Sequence, residues 1–482
     1  MALAYVISLM GLLCLGVGFC MLAPMGVSLY YGEAAWSAFL AGALISILVG
    51  AVLYFLFRDQ KAGELNHKQG IAIVGLSWAA AGVLGGIPFF LSGDFAGFTD
   101  AVFESISGFT TTGASVLTSP QSAGKGVLFW RALTHWLGGM GFVVLSIAIL
   151  PFVGVGGMQL YKAEVPSPTP DRLQPRITDT AKVLWKVYAL LTLMETLLLM
   201  FGGLDWFEAI CHSFATLATG GFSTRDASVA AFNSPYVEWV VTVFMVLAGM
   251  NFSLHYHLFR GRLDAWWRDE EWRWYMAVYL AATLGMTLSL YFSHGAGGTE
   301  ALRLAAFQGA TILTTTGFAT TDYSHWPAFA LAFLICFMFI GGSTGSTGGG
   351  PKVMRVMVVL KRSYLELYRL VHPRMVTLVR INRQVVDRSV VGSIWAFMGL
   401  YLATFGVVGM ALTAMGIDAV TSFSASIACL GNIGPGLGMV GPAGNYAALP
   451  LAAKWILAAA MIVGRLEIYT VLVLFLPEFW RK

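Results

Sequence analysis

The chain has 482 residues, of which 57% are hydrophobic and only 11% are charged, with a net charge of +4. A soluble domain carries roughly 25% charged residues, so this composition excludes most soluble enzymes, disordered proteins and nucleic-acid-binding proteins. Glycine occurs 55 times, which is typical of helices packed closely inside a bilayer. The five cysteines lie in apolar segments without a CxxC pair, so we interpret them as core residues and not as metal ligands.

Apolar runs long enough to cross the ~30 Å core of a bilayer recur along the chain. They lie near residues 2–30, 34–57, 70–92, 127–153, 183–204, 236–259, 274–293, 326–342, 392–414 and 450–476. The first run lacks a basic start and a clear cleavage site, so we interpret it as a span and not as a signal peptide.

Lysine and arginine concentrate in alternate connections between these runs. The basic connections are residues 58–68, 162–186, 260–273 and 352–388, together with the C-terminal 481–482. Cytoplasmic loops carry the excess of basic residues, so this distribution predicts that both termini are cytoplasmic.

Each of the remaining long connections contains a stretch of about 10–14 apolar residues, which is too short to cross and is typical of a re-entrant helix. We therefore predict an all-α polytopic membrane protein. It has four tandem helix–pore-helix–helix repeats around a central pore and two extra N-terminal transmembrane helices. The predicted units are 1–69 for the N-terminal pair and 70–165, 166–268, 269–388 and 389–482 for repeats one to four.

The four re-entrant segments end alike, with a glycine at intervals of about one hundred residues. Non-helical backbone at membrane depth is tolerated where it lines a cavity, and rings of carbonyl oxygens can replace the hydration shell of an ion. The negative C-terminal ends of the short helices would favour a cation. The predicted filter residues are Thr111, Thr112, Gly113, Ala218, Thr219, Gly220, Thr315, Thr316, Gly317, Asn432, Ile433 and Gly434.

Acidic residues stand near the outer starts of the short helices. Their pattern fits both helix capping and the concentration of cations at a pore mouth, and the sequence leaves the two interpretations open. These residues are Asp100, Glu104, Asp205, Glu208, Glu300 and Asp418.

A glycine-rich break interrupts the eighth apolar run, whereas the second helices of repeats one, two and four are predicted to be continuous. We interpret the break as an intramembrane gate loop, with residues 352–388 as its cytoplasmic handle and a contact for a regulatory subunit. The loop comprises Gly341, Gly342, Ser343, Thr344, Gly345, Ser346, Thr347, Gly348, Gly349 and Gly350.

Arg465 lies near the middle of the last span. An isolated cation there costs at least ~2.5–3.5 kcal/mol by insertion scales, so it requires a partner or water. Glu467 is a weak intrahelical partner at a spacing of two residues. We expect Arg465 to contact carbonyl groups of the gate loop on the ion path; an ion pair with a distant acid such as Glu195 is the alternative.

Together these motifs resemble the membrane subunits of bacterial potassium uptake of the TrkH/TrkG type, within the Trk/Ktr/HKT superfamily. The resemblance covers the whole chain and rests on residues 108–115, 218–224, 314–318, 341–350, 432–438 and 464–467. Pro351 stands where an aliphatic residue is expected, so the resemblance does not determine the local path of the chain.

The resemblance implies a potassium-conducting pore in the bacterial inner membrane, often a homodimer, regulated by a cytosolic nucleotide-binding ring of the TrkA type. One glycine per repeat implies modest selectivity, with rubidium accepted. Potassium is then the substrate, and no cofactor or transition metal is implied.

Other interpretations of the motifs are weaker. Residues 345–352 lack the Gly-Lys-Ser/Thr of a phosphate-binding loop, and the GxSxG match at 341–345 follows an apolar helix and not a strand, so an enzyme has no support. Two transport mechanisms remain, a gated pore and a proton- or sodium-coupled symporter. Glu195, an acid within an apolar span, fits either a coupling site or a hydrogen bond to a neighbouring helix.

Overall fold

The computed structural model describes residues 3–58, 67–141, 177–262, 264–295, 297–375 and 377–481. Within these ranges the chain is built from helices, apart from one antiparallel pairing of Arg380–Ile381 with Gln384–Val385. The predicted all-α class is therefore confirmed. The described residues contain six helices long and apolar enough to cross a membrane, or eight when each of two bent pairs counts as one span.

Helices of the N-terminal unit precede the predicted repeats. They are Leu3–Cys20, Leu22–Tyr30 and Trp36–Phe57. The first and third pack through glycines, because a β-carbon built on either Gly11 or Gly50 would lie 2.7 Å from the carbonyl oxygen of the other. Such close backbone approach is the usual packing of membrane helices at small residues.

Each predicted repeat contains a long first helix, a short helix and a second helix. The first helices are His67–Ser92, Ile177–Phe201, Glu270–His294 and Arg388–Ala414. The short helices are Phe98–Phe109, Trp206–Leu217, Gly298–Leu313 and Ala419–Leu430. The second helices begin with Lys125–Gly139, Pro235–Ala248, Ala328–Met338 and Leu451–Arg465.

Further helices follow the second helices or link the repeats. Those that continue a second helix after a break are Phe252–Phe259, Val353–Val371 and Ile468–Leu472, and the short connecting or terminal ones are Asp264–Arg268 and Pro477–Trp480. The predicted span 326–342 forms an 11-residue helix, and the predicted span 127–153 runs beyond the described residues.

The prediction of continuous second helices in repeats one, two and four is wrong. The chain bends by 102° after Ala248 and by 117° after Arg465, and in repeat one the helix ends at Gly139. The reason is close packing, since a β-carbon on Gly138 would lie 1.9 Å from the Phe109 carbonyl oxygen. A β-carbon on Gly464 would similarly lie 2.0 Å from the Leu430 carbonyl oxygen. The second helices of repeats one and four therefore end where they contact the C-terminal ends of short helices.

A buried ion pair joins the first repeat to the last. The Lys454 ammonium donates to a carboxylate oxygen of Asp100 at 2.6 Å and to the Ala447 carbonyl at 2.8 Å. The two charged side chains are 4% and 11% exposed. Asp100 lies on the short helix of repeat one and Lys454 on the second helix of repeat four, so the pair closes the arrangement of repeats.

We predict that Lys454→Met and Asp100→Leu each lower the unfolding temperature of the purified protein. Removing one partner strands the other charge in an apolar site, which costs about 3–5 kcal/mol. The double variant should recover most of the loss, because it leaves no stranded charge. Thermal unfolding followed by gel filtration measures the effect.

Arg268→Ala is the control, because the pair that Arg268 forms with Asp264 is exposed on both sides and such pairs contribute about 0–1 kcal/mol. Single variants at the buried pair that unfold at the parent temperature would contradict the assignment.

Candidate cation filter and gate

The four short helices end in the same backbone turn. The residue after each helix cap is left-handed: Thr111 at φ 53°, Thr219 at 52°, Thr315 at 61° and Asn432 at 53°. The following residue donates its N–H to the carbonyl five positions earlier, in the pairs 112–107, 220–215, 316–311 and 433–428. This is the Schellman pattern of a helix end. A left-handed threonine is rare and strained, so its threefold recurrence makes these loops candidates for a functional site.

A glycine with positive φ follows in every loop. These glycines are Gly113 at 77°, Gly221 at 80°, Gly317 at 83° and Gly434 at 95°. The predicted equivalence of Gly220 with Gly113 is therefore wrong, because Gly220 matches Thr112 and Ala218 matches the cap residue Thr110. Repeat two has two adjacent glycines, and the glycine spacing alone does not show which of them corresponds to Gly113. The phenylalanine that follows both Gly221 and Gly317 is the sequence signal that identifies Gly221.

The four loops contact one another in a closed ring. A β-carbon built on Gly113 would lie 2.0 Å from the Gly220 carbonyl oxygen, and one on Gly221 would lie 2.0 Å from that of Thr316. The same holds for Gly317 and Ile433 at 2.1 Å and for Gly434 and Thr112 at 2.6 Å. Each loop thus places its second carbonyl against the glycine of a neighbouring loop. The ring closes because the fourth loop contacts the first.

One cavity of about 210 Å³ lies over this ring, and we call it the vestibule. Its lining includes all four positive-φ glycines, together with Ala114, Phe222, Ala319 and Pro435 from the same loops. The charged residues of its lining are Arg131, Arg225 and Asp226. The vestibule therefore leads to the place where the four loops converge.

Buried polar side chains around the ring form hydrogen bonds to the loops and to the short helix of repeat one. Arg131 donates to the fully buried Glu104 carboxylate at 2.8 Å and to the Ser223 carbonyl at 3.1 Å. His135 lies between the Gly108 carbonyl at 2.9 Å and the Phe222 amide at 3.3 Å. Sequence reasoning did not predict these contacts, because each side chain joins the short helix of repeat one to the residues that follow the glycine of repeat two.

The fourth loop is held differently from the others. The Tyr446 hydroxyl donates to the Gly434 carbonyl at 2.7 Å. The Asn432 amide donates to the Thr112 hydroxyl at 2.9 Å and to the Met461 carbonyl at 2.9 Å. Asn432 thus ties the fourth loop to the first and to its own second helix.

The acids at the short helices serve both as caps and as ion-pair partners. Asp205 and Asp418 accept backbone N–H groups at helix starts. Asp100, Glu104 and Glu208 pair with Lys454, Arg131 and Arg225, and Glu300 lies in the first turn of its helix.

The glycine-rich loop at 341–350 packs against the ends of the short helices. Gly349 donates its N–H to the Thr315 hydroxyl at 2.6 Å, and the Thr347 hydroxyl donates to the Leu217 carbonyl at 2.9 Å. A β-carbon on Gly349 would lie 2.4 Å from the Gly431 carbonyl oxygen. The loop therefore contacts residues at or just after the C-terminal ends of the short helices in repeats two, three and four.

Backbone bonds and one buried carboxylate fix the shape of this loop. Ser343 donates to the Gly249 carbonyl at 2.9 Å, and Phe252 donates to that of Gly345 at 3.0 Å. The Glu271 carboxylate accepts the amides of Thr344 at 2.7 Å and Met354 at 3.1 Å. Sequence reasoning missed Glu271, which lies some 70 residues away in the first helix of repeat three.

Arg465 makes the expected contact with the loop. Its guanidinium donates to the Thr347 carbonyl at 2.8 Å and to the carbonyls of Gly138 at 2.6 Å and Gly139 at 3.0 Å. Glu467 binds Arg355 instead, at 2.6 Å and 2.5 Å. Arg465 therefore connects the loop to the end of the second helix of repeat one.

Comparison with known proteins places this arrangement in one family. The chain matches the family model "TrkH: Cation transport protein" over residues 35–269 and 274–482. The chain belongs to the TrkH family of cation transport proteins. It is a multi-pass membrane transport protein and not an enzyme.

Individual relatives match along nearly their full length. The chain is 42% identical over 478 residues to the Trk system potassium uptake protein TrkH of Escherichia coli K12, with 98% of each chain covered. It is 35% identical to TrkG of the same strain, with 96% of this chain and 95% of the relative covered. The crystal structure of the potassium transporter TrkH from Vibrio parahaemolyticus matches with a TM-score of 0.90 and 38% identity over 100% of both chains.

We predict that Gly221→Ala abolishes cation uptake as completely as Gly113→Ala does. Both positions have positive φ and abut a carbonyl oxygen of a neighbouring loop, so a methyl group is excluded on both counts. Uptake by cells lacking other potassium transporters, with membrane insertion checked by blotting, measures the effect.

Gly399→Ala is the control in that experiment. Gly399 lies in a membrane helix, and nothing lies within 4 Å of its added methyl group. Normal uptake by Gly221→Ala would contradict the equivalence of Gly221 with Gly113.

Proposed function

We propose that this protein conducts potassium across the bacterial inner membrane through a gated, channel-like pore. The observation that carries the proposal is the closed ring of carbonyl–glycine contacts among the four loops. Four alike backbone turns around one axis provide successive oxygen rings, which can replace the hydration shell of an ion. The printed names of the relatives, which describe potassium uptake, support potassium as the substrate.

The proposed filter consists of three residues from each loop. It keeps the predicted residues of repeats one, three and four and takes Thr219, Gly220 and Gly221 from repeat two. Carbonyl groups at the ends of four short helices carry the negative ends of the helix dipoles, which favours a cation over an anion. The fourth loop carries Asn432 and Ile433 in place of threonines, so the rings are asymmetric. This supports modest selectivity, with rubidium accepted.

The loop at 341–350 is the proposed gate, and Arg465 holds it in the closed position. The loop lies against the ends of three short helices, and Arg465 joins it to repeat one. The loop and Arg465 together then contact all four repeats. A fixed positive charge beneath the filter also raises the barrier to a cation.

Regulation reaches the gate, on this proposal, through the basic segment 352–388. Helix Val353–Val371 follows the loop directly, and Arg355 ties its start to Glu467 in repeat four. The distribution of basic residues supports a cytoplasmic location of this segment and of both termini. The resemblance to the family supports a TrkA-type ring as regulator and a homodimer as the assembly.

A proton- or sodium-coupled symporter is the second candidate, and Glu195 is the observation that favours it. This acid is fully buried in the first helix of repeat two, and buried intramembrane acids commonly belong to ion pathways. Reversal potentials of purified protein in planar bilayers decide between the two. A pore follows the potassium gradient alone, whereas a symporter shifts its reversal potential with pH or sodium, and Glu195→Gln should abolish that shift.

We predict that Arg465→Ala increases potassium flux in the absence of a regulator. A hydrogen bond to a charged group contributes about 1.5–3 kcal/mol, so loss of the bond to Thr347 should raise the open fraction about tenfold or more. Rubidium efflux from proteoliposomes measures the change. Arg268→Ala, which removes an exposed arginine, is the control, and a folded Arg465→Ala protein with reduced flux would assign Arg465 a structural role.

A second prediction concerns the direct contact between the gate and the filter. Thr315→Val removes the acceptor of the Gly349 amide, so it should loosen the gate and raise regulator-independent flux several-fold. Thr219→Val is the matched control, because Thr219 has the same backbone turn and its hydroxyl bonds to the adjacent Ala218 carbonyl. Equal flux from the two variants would show that the Gly349 contact does not restrain the loop.

A further inference from the structure

A second cavity, of about 530 Å³, is lined by residues other than those of the filter loops, and we call it the arginine cavity. It is lined by residues of helix Val353–Val371, by residues 373–375 and 377–379, and by the first two turns of helix Arg388–Ala414. Four arginines line it, namely Arg362, Arg369, Arg374 and Arg388. No aspartate or glutamate among the described residues contributes to the lining.

The charge of this cavity is largely uncompensated. Arg362 pairs with Glu366 on its own helix. Among the described residues, Arg369, Arg374 and Arg388 form no ion pair. Three arginines that line one cavity without carboxylates favour an anion there, and the planar guanidinium group is suited to bidentate binding of phosphate.

The other walls of the arginine cavity are apolar. They include Val391 and the partly exposed Met375, Leu378 and Trp395, which are 37%, 40% and 45% exposed. Arg388 begins a helix that is long and apolar enough to span the membrane, so this wall stands where a bilayer surface meets the protein. Tryptophan is enriched at that depth. A soluble phosphate compound would use the arginines and leave this apolar wall without a partner.

We propose that the arginine cavity binds the phosphate headgroup of an anionic phospholipid from the leaflet that faces the basic connections. The arginines bind the phosphodiester, and the glycerol and first acyl carbons lie against Trp395 and Leu378. Basic pockets beside membrane helices on the cytoplasmic side commonly hold such headgroups. The cytoplasmic assignment of this leaflet rests on the proposed function, whereas the binding itself does not.

Lipid binding to the full-length protein in detergent tests the proposal, with native mass spectrometry as the readout. The probes are phosphatidylglycerol and phosphatidylcholine. The triple variant Arg369→Gln/Arg374→Gln/Arg388→Gln should bind phosphatidylglycerol about 100-fold more weakly, at roughly fivefold per arginine. Phosphatidylcholine binding should not change.

The matched control is Arg260→Gln/Arg262→Gln/Arg268→Gln, which removes the same charge from another basic connection and should leave the phosphatidylglycerol affinity unchanged. An equal loss in the two triple variants would mean that general charge attracts the lipid, and it would overturn the proposal. Arg374→Gln alone, expected to weaken binding about fivefold, carries the test if the triple variant does not fold.

Soluble phosphate compounds form the last arm of the experiment. Inorganic phosphate and ATP at millimolar concentration should not displace phosphatidylglycerol, because they leave the apolar wall empty. Displacement by either one, with its own binding abolished in the cavity triple variant, would assign the site to a soluble phosphate and overturn the lipid assignment. Neither outcome depends on whether the protein conducts potassium.

Discussion

Close contact between a carbonyl oxygen and the α-carbon of a glycine in a neighbouring loop is the constraint on which the structure depends. It occurs four times around one ring, from Gly113 to Gly434. Each contact requires the backbone turn that ends its short helix, so the C-terminal ends of the four short helices are fixed relative to one another. Side chains are excluded there on both steric and conformational grounds.

The same constraint explains where the second helices stop. Gly138 and Gly464 lie flush against the last carbonyls of short helices, and the chain turns away immediately afterwards. In repeat three the break is longer, and its extra residues occupy the space beneath the ring. The loop at this place bonds to Thr315 and, through Arg465, to Gly138, and these contacts support the proposed gate.

Several polar groups buried around the ring bond to partners from other repeats. Arg131 reaches Ser223, Asn432 reaches Thr112, and Lys454 reaches Asp100. In an apolar surrounding each unpaired group would be costly, so these bonds specify which repeats are neighbours. At the arginine cavity, the proposed lipid headgroup would compensate the charge of the arginines.

The sequence by itself determined the membrane class, the fourfold recurrence of the short helices and most residues of the proposed filter, because hydrophobic length and glycine spacing are local patterns. Even Arg465 and its carbonyl partner were predictable, since a cation within an apolar run requires one. The tertiary structure decided between Gly220 and Gly221, because the two adjacent glycines differ in φ and only the phenylalanine after the second distinguishes them in the sequence. It also decided the breaks in the second helices and the roles of Glu271 and His135, because contacts between distant segments leave no periodic trace in the chain.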